Sequence, residues 1–175
     1  MNFARPYEIQ LFLNQLEYNA GKDCKSPKRV LEVGTAHCSE GAYFAAAALR
    51  RLGYRPLVVD LVAENDDDHV LAVFQEHNRW GCIAKSNTTL LRFREPVYRS
   101  IRELAMSFFD LYFNINGEKS LKRYSVPLDL SMFDDRNWMS TDEDLNYISE
   151  HLGKIRHFSV LWKGIKLERA DKSLV

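Results

Sequence analysis

Two residues of the chain have the types and the placement for nucleophilic chemistry, Cys38 and His69. A cysteine attacks as its thiolate, and the unpaired N–H groups and dipole of a helix N-terminus stabilise that form. The pattern Ala42, Phe44, Ala45, Ala48, Leu49 and Leu52, ended by Gly53, predicts a helix that begins near Cys38. A histidine within hydrogen-bond reach serves as general base and acid. His69 opens a predicted strand after that helix. The other thiols, Cys24 and Cys82, do not begin a helix beside a candidate base and read as inert. His37 adjoins Cys38, but sequence neighbours at a helix start tend to point apart. His77, His151 and His157 read as turn or surface residues.

The elements that must position these residues follow from periodicity and punctuation. Pro6 opens a first helix with Ile9, Phe12, Leu13 and Leu16 on one face, ending near Gly21. Ser26-Pro27 caps a short helix stopped by Gly34. Leu57 to Val62 is a strand, Glu64 to Asp68 an acidic loop, and His69 to Gln75 with Trp80 to Ala84 a hairpin. Lys85 to Glu95 reads as loop, and Pro96 opens a long helix through Ile101, Leu104, Phe108 and Tyr112. Pro127 to Trp138 reads as irregular. Ser140 and Glu143 form a capping box for a last helix with Leu145, Ile148 and Leu152, stopped by Gly153.

The segment from Cys38 to Tyr54 resembles the helix of transglutaminase-like proteins, in which a cysteine opens a helix that ends in arginine, leucine and glycine; here these are Arg51, Leu52 and Gly53. His69-Val70-Leu71-Ala72-Val73-Phe74, followed by Trp80, is similar to their histidine strand and the tryptophan of the next strand. The resemblance covers roughly Lys28 to Asn87, about a third of the chain. It implies an α+β fold of the transglutaminase-like, papain-like kind, with helices packed on a small, mostly antiparallel sheet. Residues 1–175 would form one domain, with 126–175 as a helical C-terminal extension. It also implies cysteine-dependent acyl transfer or amide hydrolysis on a protein, peptide or other amide substrate, with Cys38 attacking, His69 moving protons, and neither cofactor nor metal.

In that family the third member of the triad is usually an acidic residue four positions after the tryptophan, which here is Ala84. A hairpin pairing Phe74 with Arg79 would also set Ala84 opposite His69, and put Ser86 one diagonal step away. Asn87 ranks first as the residue orienting the imidazole and Ser86 second, with Asp60 and the loop Asp66-Asp67-Asp68 as rivals. The missing acid supports an alternative: a catalytically inactive domain that binds a protein through its cleft or through Phe108 to Phe113. Trp80 reads as core or as a wall of the site.

Composition argues against other classes. Lysine plus arginine equals aspartate plus glutamate at 24 each, which gives no general attraction to nucleic acid. Arg92, Arg94, Arg99 and Arg102 read as charges flanking a helix and pairing with Glu95 and Glu103. The longest apolar run, Ala42 to Leu49, falls short of the roughly 20 residues that span a bilayer. MNFARPYEIQ lacks the apolar centre of a signal peptide, so a cytoplasmic protein is expected. Asp66 to His69 lacks the alternating oxygen ligands and glycine of a calcium loop and reads as solvated.

Overall fold

A computed structural model describes residues 2–171, 173 and 174. Short polar caps set the helices. In α2 (Pro27–Val33) the Ser26 hydroxyl accepts the Arg29 N–H, proline fills the first position, and Gly34 ends the helix at φ +77°. Helix α1 (Pro6–Gln15) stops at Gln15, short of Gly21, and the chain turns into a two-residue strand, β1 (Glu17–Tyr18). This pairs in parallel with β2 (Thr35–Ala36). Helix α3 (Cys38–Arg51) begins where the sequence predicts, with a histidine as its cap. The His37 Nδ1 accepts the Ser39 and Glu40 N–H groups, while the Glu40 carboxylate accepts the His37 N–H at 2.8 Å. This is a capping box in which imidazole replaces the usual hydroxyl.

Glu40 is fully buried and also takes the Lys25 ammonium at 2.7 Å. It ties the segment before α2 to the start of α3.

The centre of the fold is a seven-stranded sheet in which every pairing is antiparallel, so the chain is mixed α+β. Its strands are β3 (Leu57–Ala63), β4 (His69–Glu76), β5 (Arg79–Ile83), β6 (Arg94–Tyr98), β7 (Leu121–Ser125), β8 (Leu128–Asp129) and β9 (His157–Ser159). They run in the order β6-β5-β4-β3-β7-β9, with β8 also on β3. Strand alternation splits the core in two. Val58, Val70, Ala72, Phe74 and Ile83 face α1, α2, α3 and α5 (Asn146–Lys154). Val59, Leu61, Leu71, Val73, Cys82 and Ala84 face α4 (Ile101–Met106) with Phe108 and Tyr112.

Several expectations change. Pro96 lies in β6, an edge strand where a missing N–H is tolerated, and helix resumes only at Ile101. Phe108 and Tyr112 are buried in the second core, while Phe109, Leu111 and Phe113 between and beside them are half-buried. The last helix starts at Asn146, because the Thr141 hydroxyl and Asp144 carboxylate take the Glu143 and Asn146 N–H groups in successive turns. Residues 126–175 supply two strands of the sheet as well as α5. Among the described residues no helix is long and apolar enough to cross a membrane.

Candidate functional site

Cys38 sits at the first position of α3 and is half-buried. Its place against the sheet follows from strand register. Asp60 in β3 donates its N–H to the Ser125 hydroxyl at 2.9 Å, toward β7. Val70, opposite Asp60, therefore turns its own N–H away from β3, to the β5 side. There β5 has already stopped at Ile83, opposite Ala72. The Cys38 sulfur fills the gap. Its thiol points to the Asp68 carbonyl at 3.8 Å, and the Ser39 hydroxyl lies 3.9 Å away. The Cys38 N–H, the first of the helix, has no acceptor among the described residues.

Burial pushes the Cys38 thiol above its ordinary pKa, and the Asp60 carboxylate adds to this. The Val70 N–H and the hydroxyl and N–H of Ser39 pull the other way without reversing it. The balance of these influences favours the neutral thiol over the thiolate. Cys24 and Cys82 are more deeply buried; burial raises both, Cys82 to about 12.

His69 follows Asp68 in sequence, but its side chain goes with Leu71 and Val73 to the α4 side, the sheet face opposite α3, with its ring 6.5 Å from the Tyr112 ring. Its Nε2 meets the Leu91 carbonyl at 2.8 Å. A carbonyl can only accept, so Nε2 carries the proton and Nδ1 keeps its lone pair. Burial lowers the imidazole to about 4, partly countered by the Leu91 bond. No hydrogen bond joins Cys38 and His69 among the described residues.

The proposed third residues are not brought to the imidazole. The β4–β5 turn is the two-residue pair His77-Asn78, both at positive φ (47° and 61°), as a type I′ turn requires. Phe74 therefore faces Gly81, not Arg79. Continued past the end of β5, that register sets Ser86 level with His69, while Ala84 bonds through both backbone groups to the Gln10 amide. The Ser86 hydroxyl accepts the Thr88 N–H. Asn87 is exposed on the loop with no side-chain hydrogen bond among the described residues. Asp60 faces the other core and meets His157 Nε2 at 3.2 Å. Asp66 and Asp68 accept hydrogen bonds within their own neighbourhood, from Ser120 and the Ala63 N–H. Trp80 is half-buried at the far end of the hairpin, opposite Gln75.

The group on the imidazole Nε2 is the Leu91 carbonyl. Side-chain identity carries no signal for it. His157, read as a surface residue, is buried beside Asp60. Among the described residues no three histidine, cysteine or acidic side chains cluster so as to hold a metal ion. No family model matches the chain, and no curated protein is found similar to it.

Proposed function

We propose that the chain is a cysteine-dependent acyltransferase or amide hydrolase of the transglutaminase-like type, with Cys38 as nucleophile and His69 as general base. The observation that carries this reading is the Leu91 carbonyl on His69 Nε2, one residue after the Asp68 carbonyl that the Cys38 thiol faces. It fixes the tautomer in which Nδ1 can accept a proton. The succession of a cysteine-headed helix, a strand, a histidine-headed strand and a hairpin partner adds support. In the reaction the Cys38 side chain turns from the Asp68 carbonyl round the open margin of β4 towards His69, its sulfur bonds to the carbonyl carbon of an amide, and its proton passes to His69 Nδ1. The same proton then goes to the leaving nitrogen as the carbon–nitrogen bond breaks, leaving a thioester. Water or an amine attacks that thioester, giving up a proton through His69 to the departing sulfur. The Cys38 N–H is a donor for the oxyanion.

p-Nitrophenyl acetate tests this directly. The expected product is a single acetyl on Cys38, seen by mass spectrometry of peptides, with release of one nitrophenolate. Cys38→Ala abolishes it, and His69→Gln slows it by roughly 100-fold or more. Equal labelling of all three cysteines, or wild-type labelling in His69→Gln, sinks the proposal. The second reading, an inactive domain that binds a partner, is favoured by one observation: burial keeps the Cys38 thiol above its ordinary pKa. Unchanged acetylation in His69→Gln would select it.

A further inference from the structure

We propose that Arg94 is a positioning residue for His69, holding the strip Leu90 to Phe93 so that the Leu91 carbonyl stays on Nε2. This rests on the reading of His69 as the base. The strip joins β5 to β6 outside the sheet ladder, so no strand partner fixes where its carbonyls point. Four successive carbonyls are instead taken by side chains. Arg94 donates one guanidinium nitrogen to Leu90 at 3.0 Å and another to Phe93 at 3.0 Å. His69 takes Leu91, and the Cys82 thiol points to Arg92 at 4.0 Å. Arg94 thus grips the strip on both sides of the His69 contact.

The grip is itself anchored. Arg94 Nε donates to the Ser107 hydroxyl at 3.1 Å, and the guanidinium lies 3.9 Å over the Phe108 ring. Upstream, Arg92 closes the loop with two hydrogen bonds to the Ser86 carbonyl at 3.1 and 3.2 Å. A planar fork with five N–H donors can bridge Leu90, Phe93 and Ser107 at once, and an ammonium cannot. Losing the fork frees the Leu90–Phe93 strip to turn and leaves Nε2 without a fixed acceptor.

The experiment follows the imidazole itself. In ¹⁵N-histidine-labelled protein, with His69→Gln to assign the signal, wild-type His69 is expected as the single Nε2–H tautomer with a slowly exchanging proton. Arg94→Lys should give a mixture of tautomers and Nε2–H exchange faster by roughly tenfold, the scale of one lost hydrogen bond. Ser107→Ala, which loosens only the anchor, should shift both in the same direction by less. Far-UV circular dichroism identifies folded variants. Wild-type tautomer and exchange in both variants would overturn the proposal. If Arg94→Lys mixes the tautomers while the wild-type chain takes no acetyl from p-nitrophenyl acetate, the grip stands and the catalytic reading falls. If the wild type acetylates and Arg94→Lys keeps its tautomer, the reverse holds.

Discussion

His69 shows how one buried residue ties stability to pH. Its imidazole is lowered to about 4 by burial, below the ordinary 6.5. Between those values the unfolded chain binds a proton that the folded chain refuses, so stability rises with pH across that window and is lost as pH falls through it. The amount is roughly 3 kcal/mol for a shift of that size. Urea unfolding at pH 7 and pH 4.5 should show the loss in the wild type and a smaller one in His69→Gln, where the amide can still reach the Leu91 carbonyl. Equal losses in the two proteins would refute this assignment of the pH dependence. Cys38 gives the complementary test. With burial and Asp60 both raising it, its alkylation midpoint should lie above the ~8.5 of a free thiol. Asp60→Asn removes the neighbouring charge and should move the midpoint down; iodoacetamide rates against pH, read on the Cys38 peptide, decide. Both residues were legible because a cysteine before an alanine-rich helix and a histidine before a branched run mark element starts. The imidazole's partner was not legible, since any residue at position 91 offers the same carbonyl.

At the scale of elements, close approach governs how α3 meets the sheet. A Cβ built on Gly41 would lie 2.3 Å from the Lys85 Cβ, nearer than side chains pack. Lys85 has little room to yield, because its ammonium is held by the Leu13 and Leu16 carbonyls at the end of α1. Gly41→Ala should therefore push α3 off the sheet margin where Cys38 sits and cost about 1 to 3 kcal/mol, the range for overpacking. A urea midpoint equal to wild type would show that the margin relaxes freely. The same scale explains the register error. The fragment Glu76-His77-Asn78-Arg79 admits turns of several lengths, and only positive φ at both His77 and Asn78 selects the two-residue one. Asparagine signals this conformation and histidine rarely does, so a slip of two residues put Ala84 where Ser86 belongs. Likewise Val97, Ile101 and Leu104 carry helical spacing, but Pro96 ends up in an edge strand because β5 leaves an edge to be paired.

Across the whole molecule, the sheet divides two cores, and the last strand closes it through a buried pair. His157 in β9 lies across from Ser125 in β7, and Ser125 accepts from Asp60 in β3, so the imidazole reaches over a small residue to the carboxylate. His157 Nδ1 meets the Ile155 carbonyl at 2.8 Å and so carries a proton, which means the contact between Nε2 and Asp60 requires a second. Written as imidazolium with carboxylate or as imidazole with acid, the pair is neutral overall, as its burial demands. This link is long in sequence and joins residues on strands that are not neighbours, so neither periodicity nor local spacing announces it. Removing one partner strands the other. His157→Ala should cost about 3 to 5 kcal/mol at pH 7 by leaving Asp60 charged and unpaired. Burial already holds the Asp60 carboxyl above its ordinary pKa, and His157 is the largest influence lowering it. Without His157 that pKa goes higher still, so the variant's deficit should shrink as pH falls and Asp60 takes up its proton. Asp60→Asn in the His157→Ala background should recover part of the loss at pH 7 and abolish its dependence on pH. Urea unfolding of the three proteins between pH 4.5 and 8 measures both effects. A deficit in His157→Ala that is the same at every pH would mean that β9 is held by packing alone and that the Asp60–His157 pair adds nothing to it.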